Sequence, residues 1–299
     1  MKTSGFTLTC ILLTFVAALP AMAGPRIFVS GLGNDANPGT REQPKRTFAS
    51  ALTVTDPGGE VVVLDPAGFG SSTLLINKSV SIIVPAGIFG GIRATSGSAI
   101  TVAAGPNDTV VLRGLTLNSG GATEGIVFQS GRALHVENCI INGFTGGSAI
   151  FVSSIAGESA QLYVKDTICR RNSTGIACLA GRGSLDHVRL EQNGTGLLVS
   201  KSGTQVSIAN SVASGNGFGL YAFGSVAELN IEACLVANNV FSGIQSQDGA
   251  AVRVSNSTVT NNGTGLVNVN GSTLESRGNN TVRGNPVPVD GTITPFSGM

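Results

Sequence analysis

Asparagine returns along the second half of this chain with the regularity of a ruler: Asn172, Asn193, Asn216, Asn239, Asn262 and Asn285, in steps of 21, 23, 23, 23 and 23 residues. A period in this range is the mark of a solenoid, in which each repeat is one coil and like residues stack in columns. Most of these asparagines are followed by glycine and then by Ile176, Leu197, Leu220, Ile244 or Leu266, a series that Ile126 and Ile150 begin. Eight residues before each lies Val164, Leu185, Ile208, Ile231 or Val254, and the same count back from Asn118 and Asn142 gives Val110 and Leu134. A third column, Phe128, Val152, Cys178, Val199 and Ala222, follows the glycine–aliphatic pair by two.

Within each unit the apolar spacing is two, as in Val252-Arg253-Val254 and Leu229-Asn230-Ile231. That is the period of strands and not of helices. Strands one period apart run in the same direction, about 4.8 Å from each other. Parallel crossovers favour the right hand. The expected fold is therefore all-β, a right-handed parallel β-helix of roughly ten coils between Glu60 and Asn285. The asparagines belong at a tight turn, where this side chain tolerates the left-handed conformation and its amide can bond its stacked neighbours.

The ends are different. Lys2, the apolar run Phe6 to Leu19 and Ala21-Met22-Ala23 have the pattern of a signal peptide covering residues 1–23. The exported chain, periplasmic or extracellular, would begin at Gly24, and no later segment is apolar enough for a membrane helix. Residues 24–59 form an N-terminal segment in which Pro44 to Val54 reads as a short amphipathic helix, with Phe48, Ala51 and Leu52 on one face. Such a helix would cap the open end of the stack. Residues 286–299 read as a C-terminal tail, because Pro286 and Pro288 cannot feed a central ladder.

Charge excludes some partners. The chain has 18 basic and 17 acidic residues, and Lys2 leaves with the leader, so the remainder is formally neutral. A nucleic-acid binder usually shows a basic excess. No metal or cofactor motif is present, and Cys139, Cys169, Cys178 and Cys234 have no metal or redox spacing. Cys139 and Cys169 both stand three residues before an asparagine and should share a column. Stacked Cβ atoms about 4.8 Å apart suit a disulfide, which prefers about 3.8 Å, poorly, so buried free thiols are expected.

The segment Phe28-Val29-Ser30-Gly31-Leu32-Gly33-Asn34-Asp35-Ala36-Asn37-Pro38-Gly39-Thr40, with Pro44-Lys45-Arg46-Thr47-Phe48, resembles the opening of exported bacterial β-helix repeat proteins. With the coils after it, the chain is similar to the pectate-lyase-like superfamily. That resemblance implies the fold and little about activity, since the fold carries lyases, hydrolases, esterases, epimerases and inert scaffolds. The motifs that the enzyme branches would imply are missing: no Asn-x-Asp with Gly-His-Gly and Arg-x-Lys, and no calcium-binding carboxylate cluster.

Two groups of residues remain as candidate sites. The first is charged. Counting from the turn asparagines stacks Lys165 over Asp186, Asp166 over His187 and Arg170 over Glu191, with Arg189 nearby. A histidine beside a carboxylate can serve as acid or base. Exposed ion pairs that pin adjacent coils are the plainer reading. The second is apolar. Val127, Phe151, Ala177, Leu198, Tyr221, Gln245 and Val267 alternate with the interior column and must point outward, with Leu179 and Phe223 two residues further on. An apolar stripe on an exported protein suggests a contact surface, unless a loop covers it. The expectation is a non-catalytic scaffold or binding protein that self-associates or holds a surface polymer or protein through Phe151, Leu179, Leu198, Tyr221 and Phe223. The alternatives are a carbohydrate-active enzyme working at Asp166, Asp186, His187 and Arg189, and a structural adhesin-like element.

Overall fold

Alternation of apolar and polar residues gives this chain thirty-two short strands, of two to seven residues, and one helix among the described residues. The computed structural model describes residues 26–153 and 159–297. The expected signal peptide and the start at Gly24 lie outside them. The strands form three sheets of twelve, ten and ten strands, and consecutive coils contribute neighbouring strands to each. Every ladder is parallel, as in Leu134↔Leu162, Ile141↔Cys169 and Ile150↔Ile176 on one coil.

The core runs down the axis. Ile126, Ile150, Ile176, Leu197, Leu220, Ile244 and Leu266 stack in one buried column. Phe128, Val152, Cys178, Val199 and Ala222 stack in the next, also buried. Leu112, Val136, Val164, Leu185, Ile208, Ile231 and Val254 fill the wall of the first sheet.

The register of the early coils differs from the sequence count. Val110 and Leu134 pair with each other and with Leu162, two residues before the Val164 column. Asn142 pairs with Asn118 and Arg170. Phe144 holds the place below Asn172, whose side-chain oxygen accepts from the Phe144 amide at 3.0 Å. Cys139 therefore does not stack on Cys169: the partner of Cys169 is Ile141, and the Cys139 amide donates to Thr167. The four cysteines among the described residues are buried and free.

The asparagines form a ladder inside the second turn of each coil. From Asn193 on, each oxygen accepts the backbone and side-chain N–H of the asparagine before it, and each amide nitrogen also donates to a carbonyl, as Asn193 does to Cys169 at 3.0 Å. The left-handed conformation belongs not to these asparagines but to the residue before each: Arg171, Gln192, Gly215, Asn238, Asn261 and Gly284. A second left-handed column, Gly114, Asn138, Asp166, His187, Asn210, Ala233 and Asn256, makes the first turn. It is followed by hydroxyl and thiol groups that bond back by two residues, Thr167 to Lys165, Ser211 to Ala209 and Cys234 to Glu232.

The helix is Phe48–Val54, shorter than the expected span from Pro44. It starts where Thr47 accepts from the Ser50 amide, and Asp35 in turn accepts from the amides of Arg46 and Thr47 at 2.9 Å. Burial raises the Asp35 carboxyl, but these bonds outweigh it and leave the group below its ordinary value. The opening motif thus ties down the cap, with Phe48, Ala51 and Leu52 buried. At the other end pairing runs on past Asn285. Val287–Asp290 pairs with Thr264–Val269, and Pro288 is accommodated because this strand has a neighbour on one side only.

Candidate functional site

The charged group comes together only in part. His187 Nδ1 lies 2.9 Å from Asp186 Oδ2, and Asn210 donates to Asp186 Oδ1 at 2.9 Å. The bond from Asn210, then that from His187, holds the Asp186 carboxyl below its ordinary value. Arg189 turns instead to Glu191, at 2.7 Å. Lys165 pairs in register with Asp186, as the count proposed. Asp166, His187, Arg189 and Asn210 border an open groove of about 370 Å³.

The residue types of this group follow from the backbone. Asp166 and His187 have φ of 49° and 52° in a column otherwise filled by Gly, Asn and Ala. Asp, Asn and His are the side chains most enriched there after glycine. The His187 and Asp186 side chains are 56% and 38% exposed, so their attraction is screened by water. Among the described residues no group of three His, Cys, Asp or Glu is placed to hold a metal ion.

The apolar group lies on the outer face of the third sheet. Phe151, Leu198 and Tyr221 occupy one column in the expected order, with Ala177 between Phe151 and Leu198. All three are partly exposed, while Ala177 is buried. Leu179 is partly exposed and Phe223 is 38% exposed, with the buried Ser200 beside Phe223 in the preceding coil. The stripe is therefore interrupted on both columns.

Two aromatic residues that the alternation did not single out complete it. Phe218 stacks on Tyr221 with centroids 5.6 Å apart, Phe241 lies 5.0 Å from Phe218, and Tyr221 meets Phe223 edge-on at 6.1 Å. Phe218 was visible as the one aromatic in a column of Ser and Thr: Thr174, Thr195, Ser242 and Thr264. Phe241, in a turn, had no periodic signal. On the following coil Ser242 Oγ donates to Gln245 Oε1 at 2.9 Å and Gln245 Nε2 to Gln247 Oε1 at 2.8 Å. Tyr221 Oη donates to the same Gln247 oxygen at 2.9 Å. Burial, then the charge of Asp248, raises the Tyr221 hydroxyl above its ordinary value.

Charge is segregated between the sheets. The third-sheet strands Thr174–Cys178, Thr195–Ser200, Phe218–Phe223, Ser242–Gln247 and Thr264–Val269 contain no ionisable group except the buried Cys178 thiol and Tyr221. The first-sheet strands of the same coils carry Lys165, Arg182, Asp186, Glu228, Glu232, Arg253 and Glu275.

Residues 102–287 match the family described as the right-handed β-helix region, and the chain belongs to that family. A search among curated proteins gave no match. Among solved structures the chain is similar to pectate lyase Pel9A, with a TM-score of 0.66 and 16% identity over 91% of this chain and 80% of that one. It is also similar to XylC in complex with xylose, with a TM-score of 0.64 and 8% identity over 86% and 70% of the two chains. An alginate lyase from Paenibacillus sp. str. FPU-7 follows at a TM-score of 0.50 and 15% identity, over 82% of this chain and 95% of that one. At these identities the likeness is one of fold, that of polysaccharide lyases among others.

Proposed function

We propose that this chain is an exported, non-catalytic binding scaffold, acting in the periplasm or outside the cell, whose working surface is the outer face of the third sheet. The carrying observation is the row Phe218, Tyr221 and Phe223, part-exposed on a face whose five successive strands from Thr174–Cys178 to Thr264–Val269 have no charged side chain. Solvent-facing strands ordinarily carry polar or charged groups, as the first sheet does. Burying apolar area on this row would return roughly 25 cal/mol per Å² before the cost of association. The charged group supports the scaffold reading too, since the fold itself accounts for Asp166 and His187.

The test is to change Leu198→Asp together with Tyr221→Ser. Neither side chain faces the axis, so the circular dichroism of the fold should persist. Partner capture or self-association, read by light scattering and by hydrogen exchange on Phe218–Phe223, should fall. An unchanged exchange pattern, with a monomer that captures nothing in either form, would reject the surface.

One observation favours a second reading, an enzyme: His187, paired with Asp186, borders a groove that Asp166 and Arg189 also line. A panel of polysaccharides separates the two. On the scaffold reading no cleavage product appears, and Asp166→Asn and His187→Gln change stability only slightly. Cleavage that either substitution abolishes in a folded protein would replace the scaffold with the enzyme.

A further inference from the structure

Resting on the lateral-face reading above, we infer that the partner of the third sheet's outer face is a second copy of this chain, laid against it in the opposite direction about a two-fold axis along the strand Thr195–Ser200. That strand is the middle one of nine, four on each side, from Ser98–Ala103 to Val287–Asp290. The axis turns the outward column onto itself about Leu198. Tyr221 of one copy then faces Ala177 of the other, Phe151 faces Gln245 and Val127 faces Val267. Each of these pairs sets a partly exposed side chain against one that is buried in the single chain. In the column at the strand entries, the ring of Phe218 likewise faces the small Thr174. Ridges of one copy thus meet hollows of the other, which is what close packing of two sheets about 10 Å apart requires.

Charge and area both favour a copy of the same face. A two-fold contact sets a surface against itself, so a patch of one sign would meet its like and repel. On these nine strands the charged side chains are Glu124 and Asp290 alone. The axis brings Glu124 to Thr264 and Asp290 to Thr101, so neither meets its own kind. Glu124 is besides turned onto the Ser148 amide. Lys201, in the turn that ends the axis strand, stays at the rim, where water and salt screen like charges. Strands about 4.8 Å apart and about 18 Å long, nine in number, cover roughly 800 Å². That is about what one partner of a specific interface buries. Apolar side chains with exposed surface run the length of this area, from Val127 and Phe151 through Leu198 and Tyr221 to Val287.

The experiment is sedimentation equilibrium of the processed chain at micromolar concentration. It should give a dimer, and raising salt from about 0.05 to 0.5 M should not weaken it, since no ion pair holds the two faces together. Leu198→Asp sets two carboxylates against each other on the axis and Leu198→Lys two ammonium groups, so each should weaken the dimer about tenfold or more. Mixed with each other, the two variants should associate again, because opposite charges then face across the axis. Circular dichroism should be unchanged in both, as Leu198 does not reach the core, and Ser184→Asp, on the first sheet, should leave the dimer as it is. A dimer that salt dissociates would overturn the inference, and so would Leu198 variants that stay dimeric alone or stay apart when mixed. If the wild type is a monomer but captures another protein that Leu198→Asp with Tyr221→Ser releases, the second-copy inference falls and the lateral-face reading stands. A monomer that captures nothing ends both.

Discussion

Asn216 sits at the middle of the ladder, fully buried, and its side chain serves three other residues. Its oxygen accepts from the Asn193 backbone at 2.9 Å, and its nitrogen donates to the Leu190 carbonyl and to Asn239 Oδ1 at 2.9 and 3.0 Å. Asn216→Ala would leave buried groups without partners, at about 1–3 kcal/mol for each. Urea unfolding should show a large loss for this variant and a far smaller one for the exposed Asn238→Ala. His135 gives a pH-dependent counterpart. It stacks on Tyr163 at 4.6 Å, and burial lowers its pKa, with Glu137 opposing and Arg132 adding to the shift. The unfolded chain therefore holds the proton more tightly. Stability should begin to fall as pH drops below the ordinary value of 6.5 and level off below the folded pKa. His135→Gln should flatten that slope in urea midpoints measured between neutral pH and about pH 5. At this scale the sequence was legible as to which asparagines matter, and misleading as to why. The side chain is chosen for its amide, while the left-handed backbone sits one residue earlier, at Arg171 and Gln192 as readily as at Gly215.

Six third-sheet strands enter through glycine, at Gly125, Gly175, Gly196, Gly219, Gly243 and Gly265, and the reason lies between coils. A Cβ on Gly219 would strike the carbonyl oxygen of Gly243 and crowd Asn239 Nδ2 at 2.9 Å. Gly175, Gly196, Gly243 and Gly265 face the next coil in the same way. Gly219→Ala should thus destabilise by about 1–3 kcal/mol through overpacking, although it adds one methyl group. Ile176→Ala, one column inward, should lose about 2–5 kcal/mol by leaving a cavity. Equal urea midpoints for Gly219→Ala and wild type would show that coils can separate there at no cost. The glycine–aliphatic pairs set the third-sheet register from Ile126 to Leu266 without error, because both members are constrained. The asparagine count failed before Asn172, because Phe144 takes the ladder position there and Asn142 lies two residues from it. The site shows the same limit. Alternation found Phe151, Leu198 and Tyr221, but Phe241 comes from a turn, where no period applies.

Across the whole molecule, stability passes from coil to coil, since each strand touches only the coils before and after it. The first coil has no predecessor, and the helix Phe48–Val54 stands in for one. Phe48 is 1% exposed and packs on Phe69 with centroids 5.0 Å apart. The helix contacts the strands Arg26–Val29, Gly59–Val63 and Leu74–Ile76, covering the end of the core. The Lys78 ammonium fastens its C-terminal end by donating to the Leu52 and Thr55 carbonyls at 2.7 and 2.6 Å. Phe48→Ala should lift this cap, at about 3–5 kcal/mol for the lost packing. Amide hydrogen exchange should report the loss as a gradient. Gly59–Val63 and Val80–Ile83 should exchange much faster, the middle coils slightly faster, and Thr258–Thr260 at the wild-type rate, because the asparagine ladder still binds the later coils to one another. A variant that exchanges faster by the same factor from Gly59 to Thr260 would mean that the stack opens as one unit, and the coil-by-coil account would be wrong. The gradient also bears on the binding surface. Phe218–Phe223 lies many coils from the cap, so Phe48→Ala should leave its protection, and any ligand it holds, unchanged.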